Sequence, residues 1–198
     1  MQLTNDALFP VDSETGWVSG LRQLPSPNCD ARPEGAQVEV IVLHGISLPA
    51  GQFGGDAVIR LFLNQLDINA HPSFLPLKEL QVSAHFLIRR DGEILQFVPV
   101  SMRAWHAGIS SCLGRSAVND FSIGVELEGT DTNPYEEAQY RSLARLNQSL
   151  IREFPAVTAD HLFGHSDIAP DRKSDPGPCF DWPRCRRDAV ISVLRCQH

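Results

Sequence analysis

The chain has 198 residues, 42% of them hydrophobic, which is enough for one well-buried core. Lys and Arg number 17 against 24 Asp and Glu, and the formal net charge of -7 argues against a nucleic-acid partner, which needs clustered cations. No Pro/Gly/Ser-rich or charged run splits the sequence, so a single domain over 1–198, with its core at about 15–195, is expected.

The opening residues, MQLTNDALFPVDSETG, lack a charged segment followed by an apolar one, and no stretch approaches the roughly 18 apolar residues of a membrane span. A monomer without a membrane partner, staying in the cytosol, is the expectation. Gln37–His44 reads as a buried strand rich in β-branched residues, and Asp56–Leu66 carries apolar positions at helical spacing. Phe53–Glu79, containing Gly54-Gly55 and His71-Pro72, has the composition of a lid. Val82–Arg90 and Glu93–Val98 form a candidate hairpin around Asp91-Gly92, a dipeptide suited to a type I′ turn. Phe121–Leu127 is another short strand-like run. A helix is expected from Pro134, with Glu136 in its capping box, to about Phe154, its apolar stripe being Leu143, Leu146, Leu150 and Ile151.

Asp181 can cap a last helix through Arg195, with Val190, Val193 and Leu194 on its buried side. Arg184, Arg186 and Arg187 then form a solvated helix face. The order of elements points to an α/β fold, a single domain with a central mixed β-sheet flanked by helices. Cysteines at 29, 112, 179, 185 and 196, odd in number and scattered, fit free thiols in a reducing compartment. Cys179 and Cys185 lack the spacing of a paired metal-binding motif.

The chemistry concentrates in GHSDIAPDRKSDPGP, Gly164–Pro178, together with His44 at the end of VEVIVLH. The segment offers an imidazole (His165), a carboxylate ten residues on (Asp175) and an ammonium between them (Lys173), in a loop stiffened by Pro170, Pro176 and Pro178. His44 lies at the carboxyl end of a buried strand and precedes Gly45, where α/β sheets present functional side chains. Two imidazoles and one carboxylate are the ligand set of a catalytic zinc, which keeps a position open for water. Spacing alone leaves Asp167 and Asp171 as rivals of Asp175. His161 lies four residues before His165, but Gly164 interrupts a helix there and the glutamate of HExxH is missing. Glu126, within the apolar IGVELEG, is the candidate proton shuttle, because an unpaired carboxylate there is costly. Lys173 is placed to reach an oxyanion.

The motifs VLHGIS, SAHFLIRRDGEI, RAWHAG, NDFSIGVELEGTD and GHSDIAPDRKSDPGP, in this order over about residues 15 to 190, closely resemble the type 2 amidase family of N-acetylmuramoyl-L-alanine amidases. The nearest branch is the cytosolic one acting on 1,6-anhydro substrates. The resemblance implies that His44, His165 and Asp175 hold one Zn2+, that Glu126 is the catalytic acid/base and that Lys173 stabilises the transition state. It implies a fold shared with peptidoglycan recognition proteins and a phage lysozyme. The implied substrate is a small anhydro-muropeptide from cell-wall recycling, cut between the lactyl group and L-alanine, with loss of activity raising the muropeptides that induce β-lactamase. Trp105 and His106 are candidates for a sugar or peptide subsite or for the core. Arg103 and Arg115 are candidates for meeting stem-peptide carboxylates or for surface roles. Relatives often carry Asn where this chain has Gly45, so a side-chain hydrogen bond to substrate is expected to be missing. A zinc-free muropeptide-binding module and a zinc peptidase cutting the stem are the competing functions.

Overall fold

The structure, a computed structural model, describes residues 8–190. A six-stranded sheet is built from β1 (Arg22–Gln23), β2 (Val40–Ile46), β3 (Phe86–Ile88), β4 (Ile94–Gln96), β5 (Ser122–Glu128) and β6 (Leu162–Gly164), in the spatial order β1-β4-β3-β5-β2-β6. Strands β3, β5, β2 and β6 run parallel, β4 is antiparallel to β3, and β1 is parallel to β4. Helices α1 (Ala57–Phe62), α2 (Glu137–Glu153), α3 (His165–Ile168) and α4 (Trp182–Val190) flank it, so the expected mixed α/β architecture is what forms.

The alternation of β2 sets up the site. Ile41 and Leu43 pack with Leu143, Leu146 and Leu150 of α2, while Val40 and Val42 face the other way, against Val118, Phe121 and Ile168. Burial on two faces explains why this strand reads as a continuous apolar run. Each of the three α2 leucines contributes about 1.5–3 kcal/mol by leaving water. The two-residue period puts His44 on the Val40/Val42 face at the strand's carboxyl end. In β5, Ile123, Val125 and Leu127 join the α2 side, leaving Ser122, Gly124 and Glu126 on the face of His44.

Several boundaries differ from the sequence expectation. Helix α2 starts at Glu137 because Glu136 is extended (φ -80, ψ 152) and acts as the N-cap, its N–H donating to Gln139 Oε1 at 3.0 Å. Helix α1 stops at Phe62 instead of reaching Leu66. Asn64 turns left-handed (φ 56) and pairs its amide with that of buried Asn28, which also donates to the carbonyls of Phe62 and Val82. One side chain thereby ties together the two ends of segment 63–82. The start of the expected lid is fastened as well: Gly54 N–H donates to Glu128 Oε1 at 2.7 Å, and Arg89 donates to the carbonyls of Gly54 and Gly55.

The hairpin forms between β3 and β4, but its turn is not type I′. It closes from Arg89 O to Gly92 N, and the positive φ falls on Gly92 (88°), not on Asp91, which is the pattern of a longer loop with glycine in the left-handed position. In α4, Asp181 Oδ1 accepts from Arg184 N–H as expected. Cys185 and Ala189 form its buried side, whereas Val190 is 37% exposed, because the helix meets α2 along the Cys185 stripe. Val193, Leu194 and the continuation to Arg195 lie outside the described residues. Arg184 and Arg186 do not simply face solvent: Arg184 pairs with Glu137 and lies over Tyr140, and Arg186 lies over Trp182. Among the described residues, no helix is long and apolar enough to cross a membrane.

Candidate metal centre and cleft

Strand β6 pairs with β2 so that Gly164 lies beside Leu43, and the chain turns directly into α3 at His165. His44 and His165 are therefore delivered to the carboxyl ends of adjacent parallel strands. The loop after α3 returns Asp175 to them, fixed by Ser166 N–H donating to Asp175 O at 3.0 Å. The Nδ1 atoms of the two histidines are 2.9 Å apart, and Asp175 Oδ2 is 3.3 Å from that of His44 and 3.2 Å from that of His165. Among the described residues this is the group of His, Cys, Asp and Glu whose ligand atoms converge.

The donor set fits a zinc ion. His165 Nε2 lies 3.2 Å from Ala107 O, which can only accept, so Nε2 carries the proton and Nδ1 offers its lone pair. His44 Nδ1 and Asp175 Oδ2 face the same point. A tetrahedral shell with bonds of about 2.0–2.1 Å has edges of roughly 3.3–3.4 Å, close to the triangle observed. Burial pushes His44 down to about 4, favouring the neutral, ligating form despite the nearby carboxylate. Asp175 is held well below the usual carboxylate range: burial opposes this, but the two imidazoles of His165 and His44 close beside it outweigh it.

Glu126 stands directly opposite His44 in the β2–β5 register, on the same face. Its Oε2 is buried and has no hydrogen-bond partner among the described residues. Burial, and secondarily Asp175, push this carboxyl well above its usual range, while Lys173 opposes the shift. A cleft of about 440 Å³ joins Glu126, His165, Lys173 and Asp175 to an apolar wall that includes Leu48, Phe62 and Leu80.

The sequence profile of the family described as N-acetylmuramoyl-L-alanine amidase matches residues 34–178, the stretch that carries all of these groups. The chain belongs to this amidase family. It is 53% identical over 179 residues, 90% of this chain and 95% of the relative, to the 1,6-anhydro-N-acetylmuramyl-L-alanine amidase AmpD of Salmonella typhimurium. A crystal structure of an AmpD selenomethionine derivative superposes with a TM-score of 0.85 at 53% identity, covering 88% of this chain and 97% of that one. AmiD from Escherichia coli, solved with anhydro-N-acetylmuramic acid-L-Ala-D-gamma-Glu-L-Lys, is similar at a TM-score of 0.57 and 30% identity, covering 79% and 60%.

Of the three rival aspartates, only Asp175 reaches the two histidines. Asp167 Oδ2 instead accepts from Gly164 N–H at 2.7 Å and caps α3, and Asp171 is exposed. His161 faces away, its Nδ1 donating to the carbonyls of Glu39 and Ala156. Trp105 and His106 line the cleft, with Trp105 Nε1 donating to Asp30 Oδ1. His106 is more than a wall: its Nδ1 is 2.9 Å from His44 Nε2. Of the two alternatives for Arg103 and Arg115, the geometry favours the surface roles: both lie outside the cleft lining, each taken up by acidic partners. Arg103 is clamped between Asp30 and Asp120, and Arg115 pairs with Glu39 over the ring of Phe121. The cation beside Lys173 that does line the cleft is Arg172, which donates to the carbonyls of Ala107 and Ile109. Its place in the Asp-Arg-Lys run was the available signal.

Gly45 is explained by packing. A Cβ there would lie 2.4 Å from Tyr135 Oη, which donates to Pro176 O at 2.9 Å, so the tyrosine hydroxyl fills the space a larger residue needs. Cys179 is exposed and Cys185 buried, both free thiols outside the ligand group.

Proposed function

We propose that the chain is a single-domain zinc amidase of the cytosol. It hydrolyses the amide between the lactyl group of 1,6-anhydro-N-acetylmuramic acid and L-alanine in muropeptides released during cell-wall recycling. By this reading its loss raises the muropeptides that induce β-lactamase. The observation that carries it is the convergence of the ligand atoms of His44, His165 and Asp175 beside a cleft lined by Glu126, whose Oε2 is buried without a partner among the described residues.

His44, His165 and Asp175 would hold the zinc, which when bound polarises a carbonyl and eases the ionisation of water. Glu126 takes the proton of the attacking water, its raised affinity for protons suiting a general base, and returns it to the departing alanine amine. The Lys173 ammonium, in the same cleft, faces the negative charge that develops on the carbonyl oxygen. Leu48, Phe62 and Leu80 with Trp105 suit the apolar face of the anhydro sugar, and Arg172 suits a stem-peptide carboxylate. The substrate is therefore oriented with its sugar toward the apolar wall and its peptide toward the cations.

Mass spectrometry of products from anhydro-N-acetylmuramoyl-tripeptide tests this. The expected products are the intact tripeptide, its alanine amine free, and anhydro-N-acetylmuramic acid. Cleavage within the stem would make the chain a peptidase, and binding without any product a recognition module.

A further inference from the structure

His106 sits behind the metal centre in a built cradle. Its Nδ1 is 2.9 Å from His44 Nε2 and its Nε2 is 3.0 Å from Ser122 Oγ, forming a chain Ser122–His106–His44 that ends at the ligand nitrogen. The two rings meet edge to face, 83° apart in plane, with centroids 5.1 Å apart. Beneath the His106 ring lies Gly124: a Cβ there would be 2.4 Å from His106 Cγ, so β5 carries no side chain at the one position the ring covers. The backbone is held too, Asn119 Oδ1 accepting from the N–H groups of His106 and Ala107 at 3.3 and 2.9 Å.

The two histidine ligands are backed by different chemistry. His165 Nε2–H meets the carbonyl of Ala107, a fixed acceptor that permits one tautomer only. His44 Nε2 meets an imidazole nitrogen, which accepts or donates according to its own tautomer. For His44 to offer a metal its Nδ1 lone pair, Nε2 must bear the proton and His106 Nδ1 must accept it. His106 Nε2 then carries the second proton and donates to Ser122 Oγ, whose hydroxyl can turn to accept.

We infer that His106 is a positioning residue of the metal centre, the acceptor that holds His44 in its Nε2–H tautomer, with Ser122 as its anchor and Gly124 as its seat. This role rests on His44 being a metal ligand and needs no contact between His106 and substrate. Outer partners of ligating histidines are worth about 10–100-fold in metal affinity.

The test uses the zinc-loaded full chain with ¹⁵N-labelled histidine. Long-range ¹H–¹⁵N spectra are expected to show His106 protonated at Nε2 and bare at Nδ1, a readout that requires no variant to fold. By chelator competition, His106→Leu should lose about 10–100-fold in zinc affinity, and His106→Gln, whose side-chain carbonyl still accepts, should recover most of it. A proton on His106 Nδ1 in the wild type, a leucine variant that holds zinc as tightly as wild type, or a glutamine variant as weak as leucine would each overturn the assignment. A wild type that binds no zinc at all would instead overturn the metal reading on which the assignment rests.

Discussion

Glu126→Gln replaces a carboxyl by an amide of the same shape where one oxygen is buried without a partner. Burial raises the proton affinity of this carboxyl in the folded chain, Asp175 adds to the effect, and Lys173 only partly offsets it. The sign of the linkage follows: the unfolded chain releases the proton near 4.5, whereas the folded chain must keep it or bury an anion, so stability is lost as pH rises from there. Glutamine has no such penalty. In metal-free protein at about pH 7 the variant should be the more stable, each unit by which burial raises the carboxyl being worth about 1.4 kcal/mol of that gain. For a chain of this size each kcal/mol moves Tm by about 2–4 °C, so a rise of roughly 3–6 °C for each such unit is expected. The gain should disappear near and below about pH 4, where the carboxyl is protonated in both states. Hydrolysis by the zinc-loaded variant should fall about 10²–10⁴-fold. Thermal unfolding in chelator at the two pH values, with kcat/KM on anhydro-N-acetylmuramoyl-tripeptide, measures both effects. A variant less stable than wild type near pH 7, or one with wild-type turnover, would refute the reasoning.

Lys173→Ala should lower kcat about 10²–10³-fold with zinc content unchanged, and a change confined to KM would show that the ammonium binds ground state and transition state alike. Gly45→Ala should destabilise by about 1–3 kcal/mol through overpacking against Tyr135 Oη. Because Tyr135 Cζ is 3.7 Å from that Cβ, an ordinary contact, adding Tyr135→Phe should relieve the strain, and additive effects in urea unfolding would contradict this. Burial lowers His44 to about 4 and His85 to about 3 from an ordinary 6.5, so in metal-free protein the stability due to their neutral forms is present above 6.5 and lost as pH falls through that window. For His44 the shift from 6.5 to about 4 corresponds to ~3 kcal/mol. In the Glu126→Gln chain, where that carboxyl no longer titrates with the opposite sign, a urea midpoint that stays flat between pH ~7 and ~4 would count against these buried neutral histidines.

What was legible in the sequence was periodicity and local capping. The apolar runs of β2 and β5, the leucine stripe of α2 and the Asp181 cap all follow from neighbours within a few residues. The misplaced features depend on distant partners. Helix α1 is cut short by an amide pair between Asn64 and Asn28, 36 residues apart, and Arg103 is withdrawn from the cleft by Asp30, 73 residues away. The choice of Asp175 over Asp167 hinges on which carboxylate the turn into α3 consumes as a cap. His106 was legible as a site candidate but not as a neighbour of His44, because only the fold lays its ring on Gly124 of β5 and brings its Nδ1 within 2.9 Å of His44 Nε2. Gly45, read as the loss of a side chain, is a fit to Tyr135.

The most direct measurement is metal content followed alongside release of tripeptide from anhydro-N-acetylmuramoyl-tripeptide, for the chain as purified, after chelation and after zinc is restored. A single zinc per chain, release that stops when it is removed, and recovery on its return are the expected results. Undiminished release from metal-free protein would contradict a zinc amidase centred on His44, His165 and Asp175.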